Sequence, residues 1–177
     1  MSKSETEKPG FVIWLTGLSG SGKSTIADRL AKILSQKGRK IERLDGDILR
    51  GIFPNTGFDR QARDEHIQRV GYMASRLEHH GVIVIASFIS PYRKARRFVR
   101  GLCKQFIEVW VKASLEECKR RDVKGLYKKA TTGKIQQFTG LDDPYEEPEK
   151  PELIIDTEHQ TIEQSVSQIL DKINLFM

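Results

Sequence analysis

The chain has 177 residues, 38% of them hydrophobic and 31% charged, a composition typical of one soluble domain large enough for a five-stranded sheet between helices. No run approaches the ~20 apolar residues that span a bilayer, and two cysteines without C-x-x-C spacing exclude a disulfide framework or zinc site and fit a reducing cytoplasm. The 30 Lys and Arg outnumber 24 Asp and Glu, giving a net charge of +6 that is concentrated at 93–104 and 119–134. Such clusters suit either a nucleic-acid patch or, as we favour, solvated helix faces beside a pocket for small polyanions, so we expect no nucleic-acid partner.

An apolar run followed by a glycine-rich loop opens the chain. Phe11–Thr16 predicts the first strand, and a helical pattern runs from about Lys23 to Gln36. An ordinary Gly/Ser turn is the alternative, but strand, glycine loop and helix in this order are the context that a phosphate-binding loop requires. The loop between them reads Gly17-Leu18-Ser19-Gly20-Ser21-Gly22-Lys23-Ser24.

This loop has the chemistry of a triphosphate site. Its glycines let backbone N–H groups turn toward phosphate oxygens, and the following helix N-terminus favours an anion. Lys23 is placed to reach the β and γ phosphates and Ser24 to ligate Mg²⁺, so we predict ATP and Mg²⁺ as cofactors. The predicted ATP-binding residues are Gly17, Leu18, Ser19, Gly20, Ser21, Gly22, Lys23, Ser24 and Thr25.

Strand-like and helix-like segments alternate along the rest of the chain. This predicts an α/β fold of the P-loop NTPase type, with three α/β/α layers and a five-stranded parallel sheet. Val82–Ala86, a continuous apolar run, is typical of a strand buried on both faces. Ser90 and Pro91 are interpreted as the N-cap and first residue of a helix. The other predicted strands are 40–44, 106–111 and 153–155, and the other helices are about 61–80, 115–121 and 162–175.

The domain organisation is simple. We expect a flexible tail at residues 1–10, unlike a secretory signal, and a single P-loop kinase domain at 11–177. The polar stretch at about 122–151 is rich in Lys, Gly, Thr, Asp and Pro. It is either a passive surface loop or, as we favour, a mobile lid that closes over bound phosphates.

Polar residues follow several strands at the edge where ligands bind in open parallel sheets. Asp45 could hold Mg²⁺ through water or accept a hydroxyl proton, and Asp47 could orient an acceptor; the alternative is a turn of helix-capping aspartates. Ser90 offers a hydroxyl and a backbone N–H suited to phosphate or sulfate. A group of arginines near this edge favours an anion site over scattered surface charge. They are Arg50, Arg63, Arg69 and Arg93.

These motifs, in this order, resemble those of adenylylsulfate kinases. The resemblance runs from about Phe11 to the final helix, and its later motifs are far more specific than the phosphate loop. They are Leu44-Asp45-Gly46-Asp47, Gly57-Phe58, Phe88-Ile89-Ser90-Pro91-Tyr92-Arg93, Asp122-Val123-Lys124-Gly125-Leu126-Tyr127-Lys128-Lys129-Ala130 and Phe138-Thr139-Gly140.

The resemblance implies that MgATP phosphorylates the ribose 3′-hydroxyl of adenosine 5′-phosphosulfate. We favour direct in-line transfer over a phosphoserine intermediate at Ser90, since a P-loop site aligns donor and acceptor. Asp45, Lys23 and Ser90 would be catalytic, with Ser24 and Asp45 at the metal. The family resemblance also implies a homodimer and leaves functional coupling with an ATP sulfurylase open.

The same resemblance assigns the acceptor site. Phe58 and Phe138 would sandwich its adenine, because flat aromatic faces suit a purine. Arg50 and Arg63 would grip the phosphosulfate, whose planar oxyanion pairs fit guanidinium forks. The other predicted substrate-binding residues are Asp47, His66, Ile89, Ser90 and, closing the site from the lid, Lys124.

One position departs from the family pattern. Where the family usually has Arg-x-x-Asn, this chain has Arg63-Asp64-Glu65-His66, and Gln68 replaces a common arginine. A neutral imidazole offers one donor and one acceptor and loses the acceptor when protonated, so we expect the acceptor KM to change as the pH crosses ~6.5. The change keeps open a sister kinase acting on another nucleotide- or sugar-linked hydroxyl, beside a P-loop protein without turnover.

Overall fold

A parallel sheet forms the centre of the computed structural model, which describes residues 9–53 and 57–176. Its five strands are β1 (Phe11–Thr16), β2 (Ile41–Asp45), β3 (Ile83–Ser87), β4 (Phe106–Lys112) and β5 (Leu153–Asp156). They lie in the order β2-β3-β1-β4-β5, every neighbouring pair parallel. In the central strand, Val12 is in register with Val84 on one side and Phe106 on the other.

Helices cover both faces of this sheet. α1 and α7 share one apolar core with the sheet, and α3 and α4 share the other, which confirms the predicted three-layer α/β/α fold. The helices of the described residues are α1 (Lys23–Gln36), α2 (Gly46–Ile52), α3 (Arg60–His79), α4 (Arg93–Leu102), α5 (Leu115–Arg121), α6 (Leu126–Thr131) and α7 (Ile162–Ile173).

The two cores follow from the alternation of side chains along β1. Ile13 points to the face where Leu30 of α1 and Ile169 of α7 are fully buried. Val12 points to the opposite face, where it shares a core with Val70 of α3. Because both faces are covered, the strand is apolar throughout, as its sequence predicted.

Three local features differ from the predicted elements. The short helix α6 lies within the stretch 122–151, where no helix was predicted. α2 was not predicted as a helix either; Asp45 caps it by accepting a hydrogen bond from the Asp47 N–H at 3.0 Å. The prediction that Ser90 caps α4 is wrong, because Ser90 has a φ of +39° and Tyr92 occupies the N-cap position before Arg93. The loop 88–92 therefore precedes α4 and does not form its first turn.

The start of the described chain is packed. The Pro9 carbonyl accepts a hydrogen bond from Arg39 Nη2 at 2.6 Å, and Gly10 is buried. Residues 1–8 of the predicted flexible tail lie outside the described residues, so the tail stays a prediction. Within residues 9–53 and 57–176, no helix is both long and apolar enough to cross a bilayer.

Candidate active site

A cavity of about 830 Å³ opens beside the carboxyl ends of β1, β2 and β3, the expected ligand edge of such a sheet. The phosphate loop, the start of α2, one face of α3 and the segment 121–139 enclose it. Most of the predicted site residues therefore meet in one cavity, although they come from distant parts of the chain.

The phosphate loop adopts a shape that only glycine permits at two positions. A Cβ atom on Gly17 would lie 2.3 Å from the Val111 carbonyl oxygen, so the loop lies directly against β4. Gly22 has a φ of +96° at the N-cap of α1, where no side chain caps the helix. The first N–H groups of α1 are thereby left to an anion in the cavity.

Lys23 lies in the first turn of α1 and is almost fully buried. Its Nζ donates to the Leu18 carbonyl at 2.7 Å and to Ser21 Oγ at 3.4 Å. The pKa of Lys23 is lowered to about 8, mainly by burial and to a smaller extent by the charge of Lys124, against the raising effect of Cys118, Asp47 and Asp45. The ammonium is held inside the loop by two weak acceptors, in a place where a phosphate would be a much stronger partner.

Asp45 and Ser24 form the predicted metal pair. Asp45 Oδ2 accepts hydrogen bonds from Ser24 Oγ at 3.1 Å and from Ser87 Oγ at 2.9 Å. Burial alone would raise the pKa of Asp45, but the bonds from Ser87, the Asp47 N–H and Ser24 outweigh it and keep the pKa below its usual value. An ionised carboxylate beside a hydroxyl is the oxygen donor set that Mg²⁺ prefers.

Across the opening, the segment 122–151 touches the rest of the site through an ion pair. Lys124 Nζ donates to Asp47 Oδ2, and their side chains are 51% and 67% exposed. The predicted closing residue therefore does meet the aspartate that follows β2, in a contact open to solvent.

Only two of the four arginines predicted near an anion site reach the cavity. Arg50 and Arg63 both line the cavity, and burial followed by the charge of Arg63 lowers the pKa of Arg50. Arg69 instead pairs with Glu65 on the exposed side of α3, and Arg93 donates to the Glu147 carbonyl at 2.7 Å outside the cavity. The expected coincidence of all four arginines is thus wrong for the last two.

The two aromatic rings predicted to hold a base both line the cavity, but in different states. Phe138 is 8% exposed and lies edge-on to Tyr127, with ring centroids 4.9 Å apart. Phe58 is 61% exposed and carries the Arg50 guanidinium 4.6 Å from its ring centre. Of the two rings predicted to hold the base, Phe138 is therefore buried and packed, whereas Phe58 is exposed to solvent.

His66 lies deep in the cavity wall, 1% exposed, with its ring 6.0 Å from those of Phe53 and Phe88. Among the described residues neither ring nitrogen has a hydrogen-bond partner. Burial first, then the charges of Arg50 and Arg69, lower the pKa of His66 to about 4. The expected titration near pH 6.5 is therefore corrected: with a pKa of about 4, the imidazole is neutral near pH 7.

Side chains of β1 hold the loop 88–92 through hydrogen bonds. Trp14 Nε1 donates to Ser90 Oγ at 3.1 Å, and Thr16 Oγ1 donates to the Ile89 carbonyl at 2.8 Å. Arg96 donates to the Ser90 carbonyl at 2.6 Å, to the Glu146 carbonyl at 2.5 Å and to Glu108 Oε1 at 2.8 Å. Ser90 is 2% exposed, so it lines the cavity as part of a rigid loop.

Sequence reasoning missed several residues that build the site. Ser87 donates to Asp45, and Arg121 donates to the Gly20 carbonyl at 3.3 Å behind the phosphate loop. Tyr127 OH donates to the Ser19 carbonyl at 3.0 Å, and Thr139 meets Arg63. Tyr127 and Thr139 lie within the motifs quoted above. The motifs indicated that these residues are near the site, but not which residues they contact.

The cavity thus combines a triphosphate site with a basic, aromatic site for a second ligand. A fold and a site of this kind define a P-loop kinase, an ATP-dependent enzyme that passes a phosphoryl group between two bound molecules.

The comparison with known proteins specifies the kind of kinase. The sequence profile of the adenylylsulphate kinases matches residues 9–156. The chain belongs to this family, which confirms the resemblance drawn from its motifs.

Individual relatives agree. A probable adenylyl-sulfate kinase of Aeropyrum pernix is 52% identical over 165 residues, covering 90% of each chain. The Mycobacterium tuberculosis APS kinase, solved in complex with AMPPNP and APS, is 37% identical with a TM-score of 0.89, covering 94% of this chain and 98% of that one. A hexameric APS kinase from Thiobacillus denitrificans is 36% identical with a TM-score of 0.72, covering 96% of this chain and 29% of its own.

Proposed function

We propose that this protein transfers the γ-phosphoryl group of MgATP to the 3′-hydroxyl of adenosine 5′-phosphosulfate, giving ADP and 3′-phosphoadenosine 5′-phosphosulfate. The observation that carries the proposal is the joining, in one cavity, of the phosphate loop with the Arg50–Arg63 pair and the two phenylalanines. The donor site alone would fit many kinases, whereas the second site suits a purine nucleotide that carries a planar anionic group.

On the donor side, the proposal gives Lys23 the β and γ phosphates and gives Ser24 and Asp45 the metal. A Mg²⁺ ion held there would neutralise charge that develops on the phosphate oxygens. The low pKa of Asp45 supports this role, because a carboxylate held ionised by three donors is a poor proton acceptor. Mg²⁺ is usually held by one or two protein oxygens, with waters and substrate phosphates completing its coordination, and Ser24 with Asp45 would fit that pattern.

On the acceptor side, Phe58 and Phe138 would hold the adenine, and Arg50 with Arg63 the phosphosulfate. His66 lies beside Arg50, and its unpaired ring nitrogens would offer the acceptor one donor and one acceptor atom. Lys124, from the lid that the sequence predicts, would close over the bound molecule by pairing with Asp47 of α2.

Direct in-line transfer is the mechanism that we propose. The acceptor oxygen forms a bond to the γ-phosphorus while the bond to the bridging oxygen of ADP breaks, and the hydroxyl proton leaves to solvent. Ser90 is a poor relay for this group, because its hydroxyl is buried and accepts a hydrogen bond from Trp14.

A coupled ADP-release assay with a panel of acceptors tests the proposal. We expect turnover with adenosine 5′-phosphosulfate to exceed that with AMP or gluconate by ~100-fold or more, since a site built for an extra anionic group leaves buried charges unpaired without it. Preferred turnover of another acceptor would establish the sister-kinase alternative instead. ATP binding without ADP release with any acceptor would establish a non-catalytic protein.

Homodimerisation, coupling to an ATP sulfurylase and a cytoplasmic location stay predictions. The hexameric relative shows that a chain of this family can assemble. Size-exclusion chromatography with light scattering on the full chain, alone and with the sulfurylase, measures both kinds of association.

A further inference from the structure

The strap, defined as residues 137–143, is tied to α3 by one buried guanidinium. Arg63 Nη1 donates to Thr139 Oγ1 and to Asp143 Oδ2, both at 2.7 Å, and Nη2 donates to the Gln137 carbonyl. Arg63 is 7% exposed. Three of the roughly five N–H bonds of a guanidinium are thus directed at the strap rather than into the cavity.

Asp143 also ties the strap to the loop before α4. Its Oδ2 atom accepts a second hydrogen bond from Tyr92 OH at 2.7 Å. Burial, with the bond to Asp143, raises the pKa of Tyr92 to about 12, so the phenol remains a donor. One carboxylate oxygen therefore joins α3, the strap and the residue that caps α4.

The strap is closed on itself as well. Asp142 accepts hydrogen bonds from the N–H groups of Gln137 at 2.7 Å and Phe138 at 2.5 Å. Gln137 has a φ of +56°, a left-handed conformation that a non-glycine residue adopts only when its surroundings hold it there. These bonds fix the backbone from which the Phe138 ring enters the cavity.

The position of this cluster relates it to the second substrate. Arg63 and Phe138 both line the cavity, whereas Asp143 does not. Asp143 can therefore affect the site only indirectly, through the residues that it holds in place. Holding a ring and a guanidinium in place before a ligand arrives removes part of the ordering cost of binding. A charge-assisted pair with little exposure holds them more firmly than a surface pair would.

We propose that Asp143 is a positioning residue for the acceptor: through Arg63 and Tyr92 it holds the strap, and with it Phe138, in the binding geometry before the acceptor enters. The inference rests on the proposed acceptor site. It separates the segment 122–151 into a strap that is preformed and a preceding part, 122–136, that meets the rest of the protein through the buried Tyr127 and the exposed Lys124–Asp47 pair.

Asp143→Asn tests the proposal, because it keeps the size of the side chain and removes its charge. We expect the acceptor KM to rise ~10-fold while the ATP KM stays within about twofold, since a charge-assisted bond is replaced by a neutral one. Tyr92→Phe, which removes only the second donor, should raise the acceptor KM about twofold to threefold. Asp171→Asn, the same change on the exposed side of α7, is the matched control and should leave both constants unchanged.

A second measurement does not depend on turnover. Hydrogen exchange of the nucleotide-free protein should be faster in the strap of Asp143→Asn and unchanged in the phosphate loop, if Asp143 holds the strap. Unchanged exchange in the strap would overturn the proposal, whatever the kinetics show.

The remaining outcomes are also decisive. If the natural chain fails to phosphorylate adenosine 5′-phosphosulfate, the proposed function fails, and the exchange arm alone decides whether Asp143 holds the strap. If the natural chain is active and Asp143→Asn keeps its acceptor KM, the inference is overturned. Equal rises in both KM values with a lower melting temperature would show a general structural role and overturn it too. Should Asp143→Asn not fold, an unchanged acceptor KM in Tyr92→Phe would count against the proposal.

Discussion

The two halves of the cavity are built in different ways. In the donor half, residues 17–25, backbone groups and the buried Lys23 form the site, and β4 and α5 pack behind it. In the acceptor half, side chains from α2, α3 and the segment 122–151 form the site, and several of them stand in solvent. The backbone site is complete before its ligand arrives, whereas the exposed side chains of the acceptor half, Phe58 and Lys124, still have to close on theirs.

Two lysines show the difference most directly. Lys23 is enclosed by the loop that it serves and has its pKa lowered by that enclosure. Lys124 is half exposed and meets Asp47 across the mouth of the cavity. We therefore expect substitutions in the donor half to have large effects on the chemical step and those in the acceptor half to have smaller effects on KM.

The largest expected effect is that of Lys23→Met. It removes the cation nearest the predicted phosphate site and should lower kcat by ~10²–10³-fold, the usual cost of losing one preorganised charge in a phosphoryl-transfer site. Steady-state kinetics at saturating ATP measure it. Lys32→Met, on the exposed side of the same helix, is the control. A fall of less than about fivefold would remove Lys23 from the catalytic set.

The next effect is a pH dependence of the donor half. Lys23 is charged below its pKa of about 8 and neutral above it, so the free enzyme loses its phosphate-binding charge as the pH rises. We expect kcat/KM for ATP to fall ~10-fold per pH unit above that value. The profile is measured at saturating acceptor between pH 6.5 and 9.5. A flat profile over this range would contradict the assignment.

A smaller effect is expected at the mouth of the cavity. Lys124→Met should raise the acceptor KM about threefold to fivefold and leave the ATP KM unchanged, because an exposed ion pair contributes little. The difference from the natural chain should shrink in 0.5 M salt, where the Debye length is only about 4 Å. Lys128→Met, a charge on α6, is the comparison variant. A salt-independent difference would mean that Lys124 acts by packing rather than by charge.

At the other extreme, we expect no pH dependence of the acceptor KM through His66. Because His66 has a pKa of about 4, the acceptor KM should not change between pH 5.5 and 7.5 through this residue. His66→Asn restores the amide usual in the family and should show the same flat dependence. A step near pH 6.5 that disappears in His66→Asn would show that the imidazole titrates and that the buried, unpaired state described above is not the one that binds substrate.

Much of the fold followed from the sequence because four of the five strands are largely apolar, and because a glycine loop between a strand and a helix is typical of a phosphate-binding loop. α2 was missed because Asp45-Gly46-Asp47 is equally good turn chemistry. The arginine prediction failed at Arg69 for a reason already present in the sequence. Six residues separate it from Arg63 on α3, about 120° around the helix, so the two cannot share a face.

Other parts of the site depended on contacts that no local pattern carries. The state of His66 is set by Phe53 and Arg50 from α2 and its C-cap, and by Phe88 from the loop after β3. The left-handed conformation of Ser90 was not predicted, because serine followed by proline is also a common helix N-terminus. The assigned roles of the site residues stay predictions until the kinetics above are measured.

Arg96 holds one end of the segment 122–151. Its guanidinium donates hydrogen bonds to the Ser90 carbonyl, the Glu146 carbonyl and the Glu108 carboxylate at the same time. The C-terminal end of the segment, at Glu146, is therefore held by the same guanidinium as the Ser90 loop beside the acceptor site. Because Tyr127 also holds the segment near its start, we expect opening to be restricted at both ends and to be easiest around the exposed Lys124.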